Sequence, residues 1–325
     1  MKKSIFAAVF SVLTVAFALG TVFFPGAIML FSLISTVLFT FVIVYADTPV
    51  SRIVSQSIIA IFYIVSVVVL NDPVPGLLLL AMFFPVGWAV GTAYLMKRNL
   101  NSTGAMAVLF GAIFLFAVFA VYALFSSPQG SSFADAAEGI REAFTSQVEN
   151  ILQTALSAQP ELTDNMYLYS VSSIASAIFS YIPAALAIWY LLCSAVAFAV
   201  LRKAEKASGN DVSFMGEFSD FRVSRTGVVF YFLASLISLL SMGSPAGTAA
   251  LNFTAVMSVV LSFGGIALID YILDFKNISD TVRRIIIIAL FVIAVLPIGF
   301  AYLLSLLGLV DSYLNIREKL LNSGH

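Results

Sequence analysis

Apolar residues fall in runs close to twenty long, divided by short polar joints, along almost the whole chain. Runs such as Ile53–Leu70 and Gly104–Phe125 have the length of a bilayer-crossing helix, which takes about twenty residues. Strands of a membrane barrel would alternate in polarity over about ten residues instead. Hydrocarbon offers no partner to a backbone N–H or C=O, so only closed barrels and helices cross it. The pattern selects helices. Expected spans are Ser4–Phe24, Ala27–Tyr45, Ile53–Leu70, Gly76–Leu95, Gly104–Phe125, Tyr167–Leu201, Val228–Met242, Thr248–Phe275 and Ile285–Leu307. Pro25-Gly26, Asp47-Thr48-Pro49, Asn71-Asp72-Pro73 and Gly243-Ser244-Pro245 put helix-stopping residues at the joints. The expected fold class is all-α, a polytopic transmembrane helical bundle of about nine spans, or about eight if one apolar run is re-entrant. Residues 1–325 form a single integral membrane domain.

Three segments need separate treatment. Lys2 and Lys3 precede an apolar stretch in which Ala16-Phe17-Ala18 has the look of a signal-peptidase site. The apolar residues continue through Phe24, so the expectation is an uncleaved first helix. Tyr167–Leu201 is too long for one perpendicular span and should project, tilt or break near Pro183. Residues 126–166 hold six acids against one base, Arg141. Phe133, Ala137, Ile140, Phe144, Val148, Ile151 and Ala155 share one helical face there. Ser132 with Asp135 resembles a capping box, and Pro160 ends the pattern. This is an external amphipathic segment, a packed lid or a gate, whose acidic face disfavours anionic headgroups.

Composition agrees: 61% of residues are hydrophobic, 10% are charged, and mean hydropathy is +1.05. An ordinary soluble domain is about a quarter charged. Net charge of −1 gives no reason to expect a nucleic-acid partner. The single cysteine, Cys193, excludes an intramolecular disulfide and a Cys-pair metal site, and reads as a small buried hydrophobe. Lys and Arg favour cytoplasmic loops, and a cytoplasmic N-terminus places 13 of the 16 basic residues inside. Arg141 stays outside, and an odd span count sends Arg317 and Lys319 of the tail there too. Ser172, Ser176 and Ser180, like Gly87 and Gly91, form small-residue stripes that point to packing within the bundle.

Chemistry is narrowed mainly by what the sequence lacks. His325 is the only histidine, and no Gly-x-x-x-x-Gly-Lys-Ser/Thr loop occurs, which removes histidine acid–base chemistry and P-loop ATP hydrolysis. Asp270 and Asp274 lie four apart on one helix with no facing acid in a recognisable motif. An enzyme is not expected, nor are a cofactor or a metal. Asp270 is the main intramembrane candidate: it binds a cation or proton, or it pairs with Lys276, Arg283 or Arg284 near the cytoplasmic interface. Gly264 and Gly265 loosen that helix toward a cavity or allow close packing. Asn252 contacts cargo or a neighbouring helix. The cytoplasmic loop 202–226 carries Phe218, Asp220, Phe221 and Arg222, a partner-docking patch or a helix anchor.

Phe218-Ser219-Asp220-Phe221-Arg222, then Asn252, Gly265, Leu307-Gly308-Leu309-Val310-Asp311 and Arg317 together resemble the YybS-like bacterial membrane proteins, a domain-of-unknown-function family. The specific matches sit in the last third; the first half is similar in layout. Gly264 stands where the resemblance implies glutamine, and Ser224 where it implies proline. The resemblance adds Asp311 and Arg317 to the partner-docking candidates. That family is similar in build to the S components of energy-coupling-factor transporters, which implies a small molecule held between helices and an energising protein partner. Ala7/Ser11 and Ala16/Gly20 give small-xxx-small spacing on the first helix. The leading expectation is small-molecule binding or transport in a bacterial inner or plasma membrane, without an ATPase of its own. The alternative is a non-catalytic scaffold or assembly factor for envelope or cell-division machinery, with a protein partner. Transport predicts Asp270 and Asn252 around one hydrated pocket; a scaffold predicts a dry interior.

Overall fold

The structure is a computed structural model that describes residues 2–46, 48–70, 73–126, 133–158, 171–295 and 300–323. Among the described residues twelve α-helices follow in order: α1 Lys2–Phe23, α2 Ile28–Tyr45, α3 Pro49–Leu70, α4 Pro73–Leu95, α5 Leu100–Ser126, α6 Phe133–Ala158, α7 Val171–Ala207, α8 Arg225–Leu240, α9 Pro245–Phe275, α10 Asp280–Val295, α11 Phe300–Leu314 and α12 Ile316–Ser323. Among the described residues there is no strand. The joints act as expected. Pro49, Pro73 and Pro245 each open a helix, where a missing N–H breaks no intrahelical bond. Ser244 caps α9 by accepting the Gly247 N–H at 3.1 Å.

Among the described residues five helices are long and apolar enough to cross a bilayer by length and composition, and shorter apolar helices accompany them. Their outward residues, such as Val12 on α1, Leu236 on α8 and Ile288 on α10, are large, apolar and exposed. In water such a surface would be unfavourable; against lipid tails it is matched. The 37 residues of α7 reach about 55 Å at about 1.5 Å per residue, well beyond the ~30 Å hydrocarbon core.

The helices pack as two bodies. In the first, α2 is surrounded by α1, α4 and α7, with α3 and α5 outside them. Its core joins Val86, Val90, Ala107, Tyr190, Cys193 and Ala197. Gly87 and Gly91 lie against α2: a Cβ at Gly91 would stand 2.6 Å from Ile43. Ala7 and Ser11 of α1 are buried, Ser11 donating to Ser55 of α3 at 3.2 Å, whereas Ala16 is exposed. Half of the small-residue spacing on α1 is therefore used for packing within the bundle. In the second body, α9 is surrounded by α8, α10 and α11. The bodies meet where α7 packs on α9. Helix α6 lies along α7, with Phe144 against Phe179 at 5.4 Å between centroids. Ile151 of its apolar face remains exposed. The cap at Ser132 and the stop at Pro160 lie outside the described residues.

One expected span is corrected. Ile285–Leu307 falls on two described helices, α10 and α11, and residues 296–299 between them, which include Pro297 and Gly299, lie outside the described residues. The return of α11 brings its C-terminal end beside the turn before α8, as Arg317 Nη2 donates to the Phe221 carbonyl at 2.9 Å. The tail therefore shares an end of the bundle with the loop 208–224. An odd span count would instead set Arg317 and Lys319 apart from the other basic residues. Every Lys and Arg except Arg141 now sits on a loop or terminal helical turn at one end, the charged end.

Candidate functional site

The polar side chains expected to form one pocket do not meet. Asn252 stands near the start of α9 and Asp270 near its end, about 27 Å apart along the axis at ~1.5 Å per residue. Asn252 has a defined task. Pro183 inside α7 disturbs the local ladder, and the Asn252 amide enters at that point. Its Oδ1 accepts the Ala184 N–H at 3.0 Å, and its Nδ2 donates to the Ser180 carbonyl at 2.7 Å. A neighbouring helix thus offers an acceptor to the Ala184 N–H and a donor to the Ser180 carbonyl beside Pro183, and the amide orientation is fixed by needing one donor and one acceptor. This is the interhelical reading of Asn252, not the cargo reading.

Asp270 is paired. Arg283 Nε lies 2.7 Å from its Oδ1, and the same guanidinium also bonds Asp274. Glu217 and Asp280 stand 4.0 Å from Arg283. Gly265 is a packing residue: a Cβ there would lie 2.1 Å from the Leu304 carbonyl oxygen, and one at Gly308 would lie 1.9 Å from that of Leu261. Such close backbone approach between α9 and α11 requires glycine. Ser262 and Ser305 hydroxyls, 2.7 Å apart, join the same helices. Gly264 is different, since its Cβ would meet Gly308 Cα at an ordinary 3.6 Å. Neither glycine opens α9 toward a cavity.

The six docking candidates are engaged within the chain. Arg317 pairs with buried Asp311 at 2.9 Å, donates to the Ser219 and Phe221 carbonyls, and lies over the Tyr271 ring at 5.6 Å. Arg222 donates to Asn315 Oδ1 at 3.2 Å. Asp220 accepts the Glu217 N–H at 2.8 Å, closing a capping box over the 3-10 turn Phe218–Asp220. Phe218 stacks on Phe221 and contacts Phe291 of α10. Loop and tail are thus fastened to each other and to the second body.

A site that sequence reasoning missed lies in the first body. Glu205, on the last turns of α7, is 2% exposed. Its Oε1 accepts the Tyr45 hydroxyl at 2.9 Å; its Oε2 accepts the Tyr94 hydroxyl at 2.8 Å and Asn210 Nδ2 at 2.5 Å. The C-terminal ends of α2, α4 and α7 converge on one carboxylate. No Lys or Arg of the described residues forms an ion pair with it. Burying a charge without an opposite charge is unfavourable unless hydrogen bonds replace the lost water, and here neutral donors alone do so. Buried hydroxyls continue from this level along α2 at Thr40, Thr36, Ser35 and Ser32, Thr36 and Thr40 donating to their own helix one turn back. In sequence, Glu205 hides in the run Arg202-Lys203-Ala204-Glu205-Lys206, which reads as a solvated basic end. A usable signal was the four-residue step Cys193, Ala197, Leu201, Glu205, all on the buried face of α7.

Among the described residues no cluster of His, Cys, Asp and Glu has the makings of a metal site. The chain belongs to the family described as predicted membrane protein (DUF2232), whose model matches residues 12–312. That is the family to which the C-terminal motifs pointed. No curated protein and no solved structure matches the chain.

Proposed function

We propose that this membrane protein binds a small molecule and takes part in its transport, relying on another protein for energy. The observation that carries the reading is Glu205, a buried carboxylate held by three helix ends and satisfied by neutral donors only. An ionisable group within an apolar helix bundle is costly and is characteristically found where ions or substrates are handled. With the charged end read as cytoplasmic, following its Lys and Arg excess, Glu205 stands at the inner end of the first body. The second body, with Asp270 and Asp311 each answered by arginine, is the rigid support. This reading moves the chemistry from Asp270 to Glu205 and places the protein in a bacterial inner or plasma membrane.

A second reading is favoured by the fastened loop and tail, which give the charged end a fixed surface of the kind a scaffold or assembly factor offers. Purification in mild detergent, followed by mass spectrometry of bound small molecules and proteins, separates the two. A metabolite retained by the wild type and lost in Glu205→Gln supports binding and transport. Envelope or division proteins co-purifying equally with both forms, and no metabolite, would replace it with the scaffold.

A further inference from the structure

Three buried acids occupy the charged end, and they are not treated alike. Asp270 and Asp311 each face an arginine, while Glu205 has an asparagine amide where a cation would stand. Asn210 is itself exposed, on a loop anchored to the helix end by its backbone N–H, which donates to the Glu205 carbonyl at 3.0 Å. Gly209 before it has φ of +79°, a conformation that glycine adopts freely. The side chain therefore acts as a neutral plug between solvent and a buried anion.

The two tyrosines that hold the carboxylate pack against further aromatic rings. Phe10 and Phe41 stack against Tyr45 at centroid distances of 6.1 and 5.8 Å, and Phe214 lies 5.7 Å from Tyr94. Aromatic faces beside a carboxylate are the recognition chemistry of an ammonium group, which gains both an ion pair and cation–π attraction. Asp211, next to the plug and exposed, adds a second negative charge. Hydrogen bonds from Ser213 hold its carboxyl below the usual range, with the Lys97 charge contributing. Lys206, the neighbouring cation on α7, is exposed and makes no ion pair with Glu205.

We propose that Glu205 is the anchor for the ammonium group of a small primary amine, which enters from the charged end by displacing the Asn210 side chain. The inference rests on the small-molecule reading above and names its substrate class. Binding needs no covalent step: the amine exchanges its water for the two Glu205 oxygens, and the Asn210 amide swings into solvent.

The test uses the full chain in detergent micelles, with n-butylammonium as probe and n-butanol as the uncharged control of equal size, read by thermal shift and isothermal titration. Saturable stabilisation by butylammonium alone is expected. Asn210→Ala, which removes the plug and keeps Glu205, should tighten binding about tenfold, equivalent to about 1.4 kcal/mol. Glu205→Gln should abolish it. Equal responses to amine and alcohol, or an Asn210→Ala affinity at or below wild type, would overturn the proposal even if Glu205→Gln folds poorly. An anionic or neutral metabolite retained by the protein would overturn the amine assignment and leave small-molecule binding standing; no retained metabolite and no amine binding would remove both.

Discussion

The two bodies handle buried acid in opposite ways. In the second, Asp311 is 1% exposed and Arg317 answers it directly, the guanidinium going on to cap two carbonyls of the loop. In the first, Glu205 is buried to the same degree and is answered by two phenols and an amide. An ion pair locks, because removing either partner strands the other charge. A carboxylate held by neutral donors can exchange one of them for another donor at much smaller cost. The difference is one of answer: arginine in the second body, neutral hydroxyl and amide donors at the end of α7.

Breaking the lock should give the largest effect. Arg317→Ala leaves Asp311 charged and buried, at a cost of about 3–5 kcal/mol, while Glu205→Gln strands no opposite charge and should cost about 1–2 kcal/mol. Thermal unfolding of the two variants in one detergent measures the gap; equal losses would erase the distinction. Next in size is the α9–α11 contact. Gly308→Ala drives a methyl into the Leu261 carbonyl and should cost about 1–3 kcal/mol, whereas Gly264→Ala should stay within about 0.5 kcal/mol. Expression and melting temperature report both. The contact between bodies comes last. Asn252→Ala should cost about 1–2 kcal/mol by unpairing Ala184 N–H and the Ser180 carbonyl. Melting temperature in the same detergent measures that loss, and an unchanged value would show the contact to be dispensable.

Much of this architecture is legible in the sequence because a bilayer demands long apolar runs, and proline and glycine mark their ends. The helices α2, α5 and α9 stand close to the expected spans for that reason. The last apolar run misleads because hydropathy counts residues and does not register that Ile285–Leu307 is shared between two described helices, α10 and α11. Asp270 with Arg283 was legible as a pair, since acid and base flank one short turn. Glu205 was not, because its partners Tyr45 and Tyr94 are more than a hundred residues away and tyrosines at helix ends are ordinary in any membrane protein. Phe218, Phe221 and Arg317 looked like docking residues because aromatic and charged side chains in a loop usually face a partner; within the chain Phe218 meets Phe221 and Phe291, and Arg317 meets Asp311 and two loop carbonyls.

Asn252 completes the ladder of a helix to which it does not belong, so one peptide proton of α7 depends on α9 for its shelter. The Ala184 amide should then exchange with deuterium more readily whenever the two bodies part, while amides a turn away stay protected within α7. A single backbone proton thus serves as an internal clock for the separation of the two halves of the molecule.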